Sequence, residues 1–167
     1  MLLISAAIAL AAADLDGAAR QFLRYLVGTW RVDSADPAGG GDLRVCYSVR
    51  PFVGDQWISG AATSNTPGFG SKDVWGYDRA SDELMRTIFD SSGTYAIVRT
   101  RGWRGPMLVL HGGAKSAGGT LQVRETIRRL SDHEFTATWE ALRGGKWKPY
   151  ALERARRVLD GKCSTSS

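Results

Sequence analysis

Along most of this chain apolar and polar residues alternate with a period of two, which puts successive side chains on opposite faces of an extended strand. The clearest stretch sets Leu43, Val45, Tyr47 and Val49 against Arg44, Cys46, Ser48 and Arg50. Before it, Trp30 and Val32 alternate with Arg31 and Asp33, and a Pro- and Gly-rich loop from Asp36 to Gly41 separates the two runs. The same reasoning predicts strands over Gln56–Thr63, Asp73–Tyr77, Glu83–Phe89, Thr94–Arg101, Met107–His111, Thr120–Leu130, Glu134–Leu142 and Trp147–Val158. Gly112 to Gly119 reads as a flexible glycine-rich loop. The pattern therefore predicts an all-β fold, an up-and-down antiparallel sheet of about eight to ten strands. It can fold as a sandwich or close as a barrel, and closure is the more economical solution because it removes exposed edges.

The period changes only near the N-terminus. Leu15, Ala18, Ala19, Phe22, Leu23 and Leu26 recur at three- and four-residue spacing, which predicts a short amphipathic helix from Asp14 to Leu26, ended by Gly28. Ahead of it, residues 1–13 carry no charged side chain and are almost wholly apolar. That segment is too short to span a bilayer as a helix. Ala11-Ala12-Ala13 before Asp14 matches the small-x-small pattern of a secretory cleavage site, although a basic n-region is missing. The expected organisation is a signal peptide at 1–13, a β-barrel domain at 14–160 and a flexible tail at 161–167. The mature protein is expected in the periplasm or outside the cell, without stable membrane insertion.

Export gives meaning to the two cysteines. A disulfide between Cys46 and Cys163 is chemically permissible in that setting and, closing so long a loop, would contribute about 4–5 kcal/mol in the chain-entropy model. The other reading is a half-buried Cys46 and an unpaired Cys163 in the tail. No Cys and His spacing suggests a metal site.

Composition narrows the function classes. Hydrophobic residues are 43% and charged residues 23% of the 167, near globular averages, which argues against disorder. The net charge is +5, yet the basic residues are scattered in ones and twos through the predicted strands, without a tract or motif for nucleic acid.

Leu26-Val27-Gly28-Thr29-Trp30, directly after an amphipathic helix, resembles the opening of lipocalin-like (calycin) barrels, where Gly-x-Trp begins the first strand. Val74-Trp75-Gly76-Tyr77-Asp78 and a last strand carrying Glu153 and Arg154 are similar to an uncharacterised bacterial branch of that group, distantly nitrobindin-like. The resemblance implies a barrel plugged at one end by the helix, with a cavity for a small apolar molecule. It also implies that Trp30 closes the core beneath an arginine of the last strand, Arg154 or Arg156, in a cation–π contact of about 0.5–2 kcal/mol.

Charged residues that share a face with apolar ones mark the candidate cavity. Arg86 is in register with Leu84 and Ile88, Arg99 with Tyr95 and Ile97, and Glu125 with Leu121, Val123 and Ile127. Buried charges must pair with one another or with a ligand group. Arg86 and Arg99 are thus candidate anchors for an apolar acid, with Trp57, Tyr95, Trp139 and Phe135 as apolar wall. The alternatives are a register that turns these charges to solvent, or an internal Arg–Glu pair in a side-chain-filled structural or interaction barrel. No catalytic set assembles: the nucleophile-elbow, zinc-protease, P-loop and dinucleotide motifs are all missing. His111, on the face of Met107 and Val109, is the better of two histidines for an acid–base role or as a haem ligand; His133 sits in a polar turn. Haem stands as the one alternative cofactor. The leading expectation is an exported barrel that binds a small hydrophobic or amphipathic molecule.

Overall fold

The computed structural model describes residues 17–39, 42–54, 56–104, 106–160 and 162–165. The predicted signal peptide and the first residues of the predicted helix lie outside the described residues. Helix α1 (residues 17–26) turns Ala19, Phe22, Leu23 and Leu26 inward at the predicted spacing. Eleven strands follow: β1 (Gly28–Ala35), β2 (Asp42–Val53), β3 (Trp57–Ser64), β4 (Gly70–Asp78), β5 (Glu83–Asp90), β6 (Tyr95–Thr100), β7 (Trp103–Arg104), β8 (Met107–Ser116), β9 (Gly119–Ser131), β10 (Glu134–Arg143) and β11 (Lys146–Arg157).

Each strand runs antiparallel to its neighbours, and the sheet closes where β6 pairs with β8. The result is a closed ring of ten strands, with the two-residue β7 hydrogen-bonded to the start of β8. The first and last strands are neighbours: Trp30 lies opposite Arg157 and Ala35 opposite Leu152. No strand of the ring is left with an open edge, the usual template for unwanted pairing.

The helix caps one end of the ring. Trp30 is fully buried, donates from Nε1 to the Leu26 carbonyl at 2.8 Å, and meets Phe135 edge-on at 4.9 Å between ring centres. The arginine over its ring is Arg157, at 4.2 Å, and neither of the expected Arg154 and Arg156. The register explains the correction. Opposite β1, residues 153, 155 and 157 point inward, so Arg154 and Arg156 face solvent, where they pair with Glu134 and Asp33. Arg157 also donates to the carbonyls of Val27, at 2.7 Å, and Tyr25, which binds helix, first strand and last strand together. Gly28 of the Gly-x-Trp motif has φ near 138° and lies against this guanidinium; a Cβ there would be 2.4 Å from Arg157 Nη1. Only glycine meets both conditions.

Two further expectations change. Gly112 to Ser116 is not a loop but the second half of β8, and the turn shrinks to Ala117-Gly118. The glycine is there for close approach: at the β6–β8 closure a Cβ on Gly112 would sit 1.9 Å from the Ile97 carbonyl oxygen. The C-terminal segment is tethered, because Cys163 is disulfide-bonded to Cys46 on β2, closing a loop of 117 residues.

Gly112→Ala should lower stability by about 1–3 kcal/mol, the usual cost of overpacking, because backbone must move to admit the methyl. Gly113→Ala, whose Cβ would meet nothing nearer than 3.8 Å, should cost clearly less. Urea midpoints of the two variants measure the difference.

Candidate functional site

With the register fixed, the inward positions can be read strand by strand. They are Tyr47 on β2, Asp73 and Trp75 on β4, Arg86 and Ile88 on β5, Glu125 and Ile127 on β9, Phe135 and Trp139 on β10, and Glu153 on β11. Between the helix cap and the opposite end they enclose a cavity of about 310 Å³. Leu26 forms part of its floor, and Leu43, Phe69, Asp90, Thr94 and Tyr95 border its mouth. Such a volume is at the small end of ligand pockets.

The centre of this lumen is polar and highly connected. Arg86 donates to Asp73 from Nε at 2.9 Å and from Nη2 at 2.6 Å, and to Glu125 from Nη1 at 2.5 Å. Its guanidinium lies 4.5 Å from the Trp75 ring centre and 5.5 Å from that of Trp139. The Tyr47 hydroxyl donates to Asp73, at 2.8 Å from Oδ2, and Trp75 Nε1 donates into the same pair. Gly60 of β3 leaves the room for this network, since a Cβ there would meet Asp73 Oδ1 at 2.1 Å. Asp73 and Glu125 are 3% and 1% exposed and Arg86 is 15% exposed, so the pairing is largely desolvated.

Burial sets the electrostatics. It opposes the charge on Arg86, but the carboxylates of Glu125 and Asp73 more than offset it and hold the guanidinium firmly protonated. Burial also raises Glu125 above the usual carboxylate range, even though Arg86 pulls the other way. Glu153 is pushed up to about 7, first by burial and then by the negative charge of Glu125. The phenol of Tyr47 is held well above its ordinary value by burial and by Asp73. Tyr150 is raised as well, chiefly by burial, and stays a neutral hydroxyl. Tyr150 is the extra residue of a bulge, since Trp139 pairs with Ala151 but Glu140 with Pro149; its ring borders the cavity 6.4 Å from Trp139 and stays 40% exposed.

The sequence candidates divide sharply. Arg86, Glu125, Trp139 and Phe135 meet in the lumen, and Tyr95 sits at its mouth. Arg99 does not. On β6 the narrow interior takes Ala96 and Val98, which leaves Tyr95, Ile97 and Arg99 pointing outward, and Arg99 pairs with Asp78 at 3.4 Å and Glu83 at 3.7 Å. Trp57 is also on the outer wall, folded over Gly76, where a Cβ would be 2.0 Å from its ring. His111 keeps the face of Met107 and Val109, but that face is external; Leu108 and Leu110 point inward, and the imidazole meets Trp147 edge-on at 6.0 Å. His133 is exposed in the β9–β10 turn. Neither histidine fits a haem in the lumen. Arg86, already engaged by two carboxylates, is not a free anchor for an acid. The residues missed from sequence are Asp73, Glu153, Tyr47 and Tyr150. Asp73 stood beside a loop, and the bulge at Tyr150 breaks the alternation that would have revealed Glu153. A larger depression of about 770 Å³ lies outside the barrel near the tail, but it is open and lined by solvated charges such as Arg31, Arg44 and Arg156.

Fold and lumen together define a closed, up-and-down antiparallel barrel with an internal cavity and a buried ion-pair network at its centre. The chain belongs to the family described as protein of unknown function DUF1579, whose model matches residues 16–157. No curated protein matches it. Among solved structures it is similar to Rv2717c from M. tuberculosis, at 14% identity and a TM-score of 0.62, over 84% of this chain and 97% of that one. More distant are mFAP1, a redesigned β barrel bound to DFHBI (14% identity, TM-score 0.41, 81% and 97% covered), and the S-type phycobiliprotein lyase CPES of Guillardia theta (11%, 0.42, 83% and 91%). At these identities the likeness is one of fold.

Two outcomes test the network. Arg86→Met leaves Asp73 and Glu125 buried without their cation and should cost about 3–5 kcal/mol near neutral pH. That cost should shrink in acid, as Glu125 takes up a proton, and urea titrations at two pH values compare the variants. Glu153 is raised in the fold above its unfolded value. Its contribution to stability is therefore complete below the unfolded value and lost as pH rises toward and through about 7. Glu153 should accordingly contribute a decline on the order of 2 kcal/mol to wild-type stability over that window, and Glu153→Gln should remove that share while leaving the part that Glu125 contributes.

Proposed function

We propose that this chain is an exported barrel that binds a small hydrophobic or amphipathic molecule in its lumen. The observation that carries the reading is the cavity of about 310 Å³, walled by Trp139, Phe135, Tyr47 and Tyr150 and open at the end away from the helix. An interior filled with side chains would leave no such space, and the structural alternative is correspondingly weaker. Apolar walls around a few fixed polar groups are the usual make-up of a small-molecule site. Export is supported by the apolar residues 1–13 with their small-x-small end, and by the Cys46–Cys163 disulfide, a bond that persists in oxidising compartments.

Native mass spectrometry of protein purified from a bacterial periplasm tests both parts. Excess mass that disappears on denaturation is the expected result. Ala62→Trp, which fills the cavity from β3, should lose that mass while keeping its β-sheet circular dichroism. Equal native and denatured masses for the wild type would overturn the binding reading. A denatured mass retaining residues 1–13 would overturn export.

A further inference from the structure

We propose that the lumen selects an amphipathic cation, an amine or ammonium group on an apolar body, with Glu153 and Glu125 as its counter-ions. This rests on the binding reading above and names the class of ligand.

The first argument is charge balance. A chain of net charge +5 encloses a cavity whose charged lining is Arg86 against Glu125, Glu153 and, at the mouth, Asp90. Arg86 is held by Asp73 on one edge and by Glu125 on the other. A ligand carboxylate would therefore meet surplus negative charge and no uncommitted cation. The second argument is an unanswered acceptor. Glu125 Oε2 is buried and has no hydrogen-bond partner among the described residues, while its other oxygen is bound to Arg86. Buried acceptors are costly to leave unmatched, and a carboxylate accepts most strongly from a charged donor. The Glu153 carboxylate likewise makes no hydrogen bond or ion pair among the described residues. The third argument is the wall. Trp139 and Tyr150 line the same cavity as these carboxylates, with ring centres 6.4 Å apart, and aromatic faces attract cations.

The same arrangement couples binding to protons. Glu153 faces Glu125 of β9, Arg86 of β5 and Asp73 of β4 across the lumen, with Tyr150 on its own strand and Tyr47 on β2. The flanking strands place only Ser34 and Ala137 beside it. Burial holds its pKa at about 7. A cation bound against it stabilises the ionised form, so binding drives a proton into solvent and affinity rises with pH.

The test is calorimetric titration of the mature protein with three probes on one apolar body: phenylbutylamine, phenylbutanol and phenylbutyrate. At about pH 8 the amine should bind roughly tenfold more tightly than the alcohol, with the acid weakest, and the amine's advantage should shrink near pH 6. Its apparent heat should depend on the ionisation enthalpy of the buffer, which reports the released proton. Glu153→Gln should bring the amine's affinity down toward the alcohol's and remove the buffer dependence. Glu125→Gln serves as second variant should the first misfold. Equal affinities, or a preference for the acid, overturn the cation proposal and leave the binding barrel standing. Failure of all three probes to bind overturns this proposal, and a native mass free of ligand would then separately overturn the reading beneath it.

Discussion

The ring of strands depends on one seam, the pairing of β1 with β11, and that seam is held by the guanidinium of Arg157. The side chain lies on the indole of Trp30 while donating to two carbonyls at the end of the helix, so a single residue joins the chain's beginning, its first strand and its last. The contact works because everything around it makes way: Gly28 has no Cβ to obstruct the guanidinium, and the indole nitrogen is satisfied by Leu26. With the seam closed, the helix has a fixed surface to cap. The opposite end, lacking such a cap, becomes the mouth.

Capping one end has an electrostatic consequence for the other half of the lumen. Trp75, Phe135 and the helix residues exclude water from below, and burial then sets the behaviour of every ionisable group above them. Arg86 stays charged because two carboxylates accompany it. Glu125 and Glu153 are both raised, chiefly by burial and then by the neighbouring carboxylates, against the pull of Arg86. Buried ion networks are poor evidence of stability for its own sake, since apolar residues of equal volume would serve as well or better. Their presence in a walled, open-ended cavity instead fixes which chemistry the space can accept.

Much of the fold was legible in the sequence, and so was half of the site. The alternation in β2, the helix spacing and the Gly-x-Trp opening suffice for a closed barrel with a plug. Arg86 and Glu125 were found because each interrupts an otherwise apolar face. Arg99 and His111 are misplaced for a common reason. In Tyr95-Ala96-Ile97-Val98 and in Met107-Leu108-Val109-Leu110 both faces are apolar, so alternation cannot say which is inside, and the barrel's width decides. Here the interior takes the small Ala96 and Val98, and the larger side chains go outside. Glu153 was hidden by a phase shift at Tyr150, and Asp73 by its partner Tyr47, which lies 26 residues away in sequence.

The disulfide adds a matter of timing. Cys163 follows the last strand and reaches back to β2, so neither the bond nor the β1–β11 seam can form until nearly the whole chain is present. Folding is consequently dominated by contacts distant in sequence, which makes it slow compared with helical proteins of this length. Once the ring has closed, the late bond records the event covalently, and reversing it requires a reductant as well as thermal motion.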